Sequence, residues 1–377
     1  MSDMPRLWMR QESRPRERRA PIVPEDAARL VESGVRLTVE ESPQRVFPLA
    51  DYVEAGCEVG AAGSWTEAPD GHYIVGLKEL PEKPSDLRHR HIYFGHAYKG
   101  QTGARALLDR FTAGGGALLD LEYLTDDDGR RLAAFGYWAG YVGAALAVLS
   151  RRGRLDTPLV PLGKSELDAA LRASRAPAVT APAVTAASVT APSGTDGQPL
   201  SALVIGALGR CGRGACDALE TAGLTPTRWD VDETENLDRE ALLAHDILVN
   251  TVLTTQPIPP FLTPSDLDDP RRRLSTICDV TCDVTSQCNV LPIYDDVTDW
   301  GHPVRRLRGG DRPVDVIAID NLPSLLPGEA SRAFSAELLP QLLNLVSQGD
   351  TAPAWARCLR TFEAAARAGS EENDHAR

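Results

Sequence analysis

The sequence predicts an α/β fold of parallel, doubly wound sheets divided into two domains, and three observations carry that prediction. Residues 1–130 alternate strand-like and helix-like segments, and a second alternating region begins at Leu200, the order that puts helices on the faces of a parallel sheet. In the second region an apolar run leads directly into a glycine-rich turn and a helix, LVIGALGRCGRGACDALE. The chain has 377 residues, more than one ordinary core accommodates.

Taken in order, RLWMRQE reads as the first strand. PEDAARLVESG follows as a helix, with Pro24 and acidic residues in its first turn and Gly34 just past its end. VRLTVEES alternates with period two and reads as a strand, and LADYVEAG is a short helix ending at Gly56. YIVGLKE and HIYFGHA are strands, TGARALLDRFTAGG a helix and ALLDLEYL a strand. Residues 132–150 carry no charge and could just span a bilayer, but six of the 19 are alanine and three glycine, so a buried helix over 136–150 is expected. An Ala/Pro/Thr-rich stretch at about 174–199, with the tandem APAVTAPAVT, has no amphipathic period and reads as a linker or surface loop. Beyond the glycine-rich turn, TPTRWDVDE, DILVNTVL, STICDVT and VDVIAID are strands. From about Leu325 the pattern is helical, with SRAFSAELL and PQLLNLVSQ divided at Pro340, and EENDHAR reads as a frayed polar tail.

Composition narrows the function. Hydrophobic content of 42% and charged content of 25% suit a globular protein, and a net charge of −13 argues against nucleic-acid or membrane partners. The basic run RPRERR is either a solvated loop or an anion site. The N-terminal stretch lacks a signal-peptide apolar segment, and seven cysteines without zinc-like spacing at Cys278, Cys282 and Cys288 suggest free thiols in a reducing cytoplasm, with no metal.

The glycines of the turn are Gly206, Gly209 and Gly212. Glycine lets the backbone approach a pyrophosphate, and the following helix presents its N-terminal amides. Asp230 comes 24 residues after Gly206, where an acid that binds ribose hydroxyls belongs. With Asp232 and Glu233 beside it, a 2′-phosphate would be repelled, so the cofactor expected is NAD.

The cations point to the chemistry. Of 40, 36 are arginine and four lysine, and three of the lysines, Lys78, Lys83 and Lys99, fall within 22 residues. Arginine stays protonated at neutral pH, whereas a lysine amine becomes a base when its surroundings lower its pKa. Lys78 ends an apolar run, where open α/β sheets place ligands; Lys83, among prolines, is a loop residue. His96 is expected on the strand face of Ile92 and Phe94, and His91 on the opposite face with Tyr93, which argues against a three-histidine metal site. Alone, His96 would be a satisfied core histidine; beside Lys78 it becomes an acid–base partner. Arg19, Arg130 and Arg131 offer carboxylate-binding forks. Together these suggest dehydrogenation at a carbon bearing nitrogen, on a substrate rich in carboxylates.

With ERRAPIVP, GLKELPE, HIYFGHAYKGQ, DLEYL, GRRLAAFG, IGALGRCG, WDVDET and IDNLPSLLPGEAS in this order, the chain resembles the NAD-dependent, lysine-forming saccharopine dehydrogenases from its first strand to about Trp355. It is similar more distantly to alanine dehydrogenase and nicotinamide nucleotide transhydrogenase. The resemblance implies two Rossmann-like domains with a cleft between them, a substrate domain of residues 1–135 and 325–377 and an NAD domain of residues 136–324. It implies cleavage of saccharopine to L-lysine and 2-oxoglutarate, and the reverse, with Lys78 as proton acceptor and His96 as proton donor. Arg19, Gln101, Arg131, Phe135, Thr281, Cys282 and Asp283 then match substrate contacts, and Lys99 is grouped with them. Arg130, Gly209, Arg210, Asp230, Thr234, Val280, Ile319, Asp320, Asn321 and Leu322 match the NAD site. Leu253 stands where the family often has an aromatic residue near the adenosine, and Cys282 replaces a smaller residue. The expected state is a cytoplasmic monomer or homodimer. The rival readings are a related amino-acid or opine-type dehydrogenase and a non-catalytic NAD-binding protein.

Overall fold

The computed structural model describes residues 6–99, 101–175, 200–254 and 256–375. The chain divides into two compact units, Met1–Ala134 with Pro327–Arg377, and Phe135–Leu326.

The first unit runs β1 (Arg6–Met9), α1 (Pro24–Glu32), β2 (Arg36–Glu40), α2 (Leu49–Glu54), β3 (Glu58–Gly60), β4 (Tyr73–Val75), β5 (Arg90–Tyr93), α3 (Ala104–Gly114) and β6 (Ala117–Asp120). Its six strands form one parallel sheet in the order β3-β2-β1-β4-β5-β6. All four residues of β6 are buried, as is expected of a strand covered on both faces. The winding reverses between β1 and β4, the switch point at whose carboxyl ends open α/β sheets place ligands.

Two strands stop earlier than their period-two patterns suggest. β4 ends at Val75 and β5 at Tyr93, which leaves Lys78 and His96 in the loops beyond. His96 therefore does not share a strand face with Ile92 and Phe94. Its backbone is left-handed, with φ 50°. The last cross-links between these segments are Gly76 N–H to Ile92 O at 2.9 Å and Phe94 N–H to Leu77 O at 3.2 Å.

The unit closes with α9 (Pro327–Gln348) and α10 (Pro353–His375). Pro340 does not divide α9. Its missing N–H and steric clash cost about 3 kcal/mol, but Leu338, Leu339, Leu342 and Leu345 are buried on either side of it. At roughly 1.5–3 kcal/mol for each buried leucine, continuity wins. The expected frayed tail is also helical as far as His375, because a helix already nucleated against the core propagates at low cost. Serines anchor α9 to the amino-terminal segment: Ser331 Oγ accepts Ala20 N–H at 2.9 Å, and Ser335 Oγ donates to Asp26 Oδ2 at 2.6 Å.

The second unit contains α4 (Gly136–Arg151), α5 (Lys164–Ala173), β7 (Ala202–Ile205), α6 (Arg210–Thr221), β8 (Thr227–Trp229), α7 (Val231–Glu235), α8 (Arg239–Leu243), β9 (Ile247–Asn250), β10 (Thr276–Asp279), β11 (Arg305–Arg308) and β12 (Val314–Ile317). The sheet order is β11-β12-β10-β9-β7-β8. Five strands are parallel, and β11 adds an antiparallel edge that the sequence did not announce. The uncharged stretch is α4, whose residues Gly140 to Leu149 are all buried. Its glycines allow backbone contact with α6: a Cβ on Gly140 would lie 1.8 Å from Cys211 O, and one on Gly214 would lie 1.9 Å from Tyr137 O. Among the described residues no helix is long and apolar enough to cross a membrane. The Ala/Pro/Thr-rich stretch from 176 to 199 lies outside the described residues.

Candidate active site

In the first unit, charged side chains gather at the carboxyl ends of the strands. Glu12, in the loop after β1, accepts Leu77 N–H at 2.7 Å and Lys78 N–H at 2.9 Å. The Arg10 guanidinium donates to the Lys78 carbonyl and pairs with Glu12 at 3.4 Å. Nearby, Arg19 forks onto Glu17, Nε at 2.9 Å and Nη2 at 2.7 Å, and both residues are buried. Burial opposes ionisation of Glu17, but Arg19, and more weakly Lys78, outweigh it and hold its pKa below the usual range.

A second cluster surrounds His96. Its Nδ1 lies 3.6 Å from Glu122 Oε2, an ion-pair distance when the ring is protonated. Glu122 also accepts from Lys99 Nζ at 2.9 Å and Arg131 Nη2 at 3.1 Å. Contact with His96 and these cations overcomes burial and holds Glu122 down at about 2. In return Glu122 raises the His96 pKa against the opposing effect of burial. Lys78 acts weakly on the same ring with the opposite sign. Asp120, fully buried at the end of β6, accepts Glu122 N–H at 2.9 Å and orients that residue's backbone. His96 and Gln101 line a cavity of about 550 Å³ with Tyr93 and the first turn of α3. Arg130 is exposed and pairs with Asp128 at 3.4 Å.

The second unit holds the glycine-rich turn between β7 and α6. Gly206 has φ 81°, and its N–H reaches Trp229 O at 2.9 Å. A Cβ on Gly212 would sit 2.1 Å from Gly206 O, so the turn folds tightly onto its own helix. Gly209 precedes α6 and supplies no side-chain cap, and a helix N-terminus at this place in the fold is where an anion is bound. Asp230, after β8, accepts Leu208 N–H at 2.9 Å and forms a capping box with Glu233 on α7, and Thr234 Oγ1 donates to Asp230 O at 2.8 Å. Leu208, Val231 and Leu253, 71%, 71% and 58% exposed, follow β7, β8 and β9, with Val231 the first residue of α7. A tight glycine turn leading into a helix N-terminus, an acid after the next strand and apolar side chains following adjacent strands fit a dinucleotide with a planar base.

At the end of β10, Asp279 is buried and accepts from Asn250 Nδ2 at 3.0 Å, Thr281 Oγ1 at 2.7 Å and Tyr294 OH at 2.7 Å. Val280 N–H reaches Asn250 O at 2.9 Å. Cys282 is left-handed, φ 53°, and its thiol donates to Asp279 O at 3.3 Å. Burial pushes that thiol's pKa up and keeps it neutral. Asp283 follows, half-buried. Ile319 and Leu322 are buried, Asp320 is exposed, and Asn321 precedes the short 3₁₀ turn that Leu322 begins. Phe135, half-buried, precedes α4.

Sequence reasoning passed over Arg10, Glu12, Glu17, Asp120, Glu122 and Asp279. A charged residue at the end of a buried strand is the signal that finds Arg10, Asp120 and Asp279. Among the described residues no group of three or more His, Cys, Asp or Glu is placed to hold a metal ion, and no disulfide is formed.

Residues 8–142 match the family model described as alanine dehydrogenase/PNT, N-terminal domain. A solved L-alanine dehydrogenase superposes with a TM-score of 0.65 over 94% of each chain; at 16% identity that likeness concerns the fold alone. The chain is 41% identical over 366 residues to the saccharopine dehydrogenase (NAD+, L-lysine-forming) of Schizosaccharomyces pombe, covering 95% of this chain and 98% of that protein. It is 40% identical over 380 residues to the protein of the same description from Yarrowia lipolytica, covering 95% and 96%. Identity at this level over nearly the full length of both proteins establishes that the chain belongs to the NAD+-dependent, L-lysine-forming saccharopine dehydrogenase family.

Proposed function

We propose that the protein catalyses NAD+-dependent cleavage of saccharopine to L-lysine and 2-oxoglutarate, and the reverse condensation. The observation that carries this reading is the 41% identity to a relative of that description across 95% of this chain. In this reading the first unit performs the acid–base chemistry and the second holds the cofactor. Saccharopine is a secondary amine joining the lysine side chain to a glutarate carbon, so oxidation at that carbon followed by hydrolysis releases both products. Bound NAD+ supplies the hydride acceptor.

The protein's own groups move the protons and hold the substrate. Lys78 takes the proton of the secondary amine. His96, kept protonatable by Glu122, delivers a proton and assists the attack of water on the imine carbon. Each such role contributes typically ~10²–10⁴-fold. Arg19, Lys99, Gln101 and Arg131 orient carboxylates, which raises the effective concentration of the reacting groups. In the second unit, the Gly206–Gly212 turn and Asp230 hold the dinucleotide, and Thr281 to Asp283 shape the substrate end. Seven cysteines without a disulfide among the described residues support a cytoplasmic setting.

The test is NADH consumption with lysine plus 2-oxoglutarate, set against a panel of other amines and oxo acids. The reading expects the highest kcat/KM for that pair. A different pair turned over more efficiently, or no turnover at all, would contradict it.

A further inference from the structure

We infer that Arg10 and Glu12 act as positioning residues that set the place of Lys78. The inference rests on the reading of Lys78 as the base. Lys78 lies beyond the end of β4, one residue past Leu77, whose carbonyl makes the last main-chain cross-link to the β5 segment. Its main chain is nevertheless held at both polar groups by one buried pair. Glu12 takes Leu77 N–H at 2.7 Å through Oε1 and Lys78 N–H at 2.9 Å through Oε2, while the Arg10 guanidinium takes the Lys78 carbonyl.

The pair is built into the fold. The Arg10 and Glu12 side chains are 1% and 5% exposed and bond each other at 3.4 Å. Arg10 N–H continues the β1–β4 ladder to Val75 O at 3.0 Å, and Nη1 reaches Gln11 O at 3.1 Å. The guanidinium also lies 5.6 Å from the Tyr93 ring centroid on β5. Space for it exists because residue 76 is glycine: a Cβ there would come within 2.5 Å of Arg10 Nε. Glu79 O adds a further tie, accepting from Ser13 Oγ at 3.0 Å. Two ionic groups buried only to bind a loop carry a desolvation cost that a plain turn would avoid. What they provide is a fixed origin for the Lys78 side chain, and misplacing a reacting group by about 1 Å costs on the order of 10²-fold in rate.

A double-mutant cycle separates positioning from general support. Turnover at saturating saccharopine and NAD+ is measured for the unaltered protein, Glu12→Gln, Lys78→Met and the double variant, with NAD affinity in parallel. Glu12→Gln keeps size but replaces one acceptor oxygen with a donor, so one of the two N–H groups loses its partner. We expect kcat to fall about 10- to 100-fold, with NAD affinity unchanged. In the Lys78→Met background the same change should cost less than about twofold, because the group it positions is gone. Gly76→Ala provides a second cycle without removing any polar group, since the added methyl displaces Arg10, and it should show the same non-additivity. Equal losses in both backgrounds, in either cycle, with Lys78→Met itself impaired, would overturn the positioning role and leave the base assignment intact. Near-normal turnover of Lys78→Met would overturn both.

Discussion

The two units solve the same topological problem with opposite materials. Each has a six-stranded sheet whose winding reverses once, between β1 and β4 in the first unit and between β7 and β9 in the second. In the second unit the loop after β7 is glycine turning on glycine, with its polar contacts made mainly by backbone. In the first, the loop after β1 carries Arg10 and Glu12, buried and paired, with the buried Glu17 and Arg19 farther along. A bare backbone at a strand end offers amides and room, which suits a ligand that brings its own charge. A loop packed with ion pairs offers fixed charges and titratable groups, which suits proton transfer. In the proposed function the same strand-end position serves as a cofactor cradle where glycine follows the first strand and as a reaction site where charge does.

A side chain forced into the glycine turn should have a large effect on cofactor binding. Gly212→Ala adds a Cβ that would meet Gly206 O at 2.1 Å. Overpacking of this kind costs about 1–3 kcal/mol, which predicts NAD affinity weakened roughly 5- to 150-fold by calorimetric titration. An affinity within twofold of the unaltered protein would show that the turn does not cradle the cofactor.

Asp230→Ser sharpens the comparison from the acid side. Serine can still cap α7, but the negative charge is lost, so the ratio of kcat/KM for NAD over NADP should fall by roughly tenfold. An unchanged ratio would move the discrimination to Asp232 or Glu233.

Glu122→Gln probes the charge-based site. Glu122 raises the His96 pKa, so its removal should move the pH–rate limb governed by His96 to lower pH. A limb that stays in place would exclude His96 as its source.

The smallest effect concerns stability. His91 is fully buried between Trp65 and Phe111, and neither ring nitrogen has a hydrogen-bond partner among the described residues. Burial lowers its pKa well below the ordinary value. The unfolded chain therefore binds the extra proton first. His91 contributes no loss above about pH 6.5, but below it stability falls by up to about 1.4 kcal/mol per pH unit. His91→Phe should flatten this slope in denaturant titrations between about pH 6.5 and 5, and an unchanged slope would assign it to His72 or His89.

Much of the second unit was legible in the sequence, because its determinants are local. Gly206, Gly209 and Gly212 sit in one turn and Asp230 follows the next strand, so spacing alone finds them. Lys78 stood out because arginine serves almost every other cationic role, yet Lys164, which satisfies the same argument, is a packing residue: it bonds Asp168 at 2.7 Å and lies 4.9 Å from the Tyr141 ring centroid. What stayed hidden depends on distant pairing. Glu12 and Lys78 meet only because β1 and β4 are neighbours, and Glu122 meets His96 only because β5 and β6 are. His96 was misplaced on a strand face because its alternation with Ile92 and Phe94 continues past the last ladder bond.

In the proposed function the first unit works through the titratable amine of Lys78, not through its charge. The most direct test is turnover of Lys78→Arg across pH, with NAD affinity measured in parallel. Arginine keeps the charge and removes the base, so kcat should fall ~10²–10⁴-fold with NAD binding intact. Near-normal turnover and an unchanged pH profile in Lys78→Arg would contradict it and leave His96 as the main acid–base group.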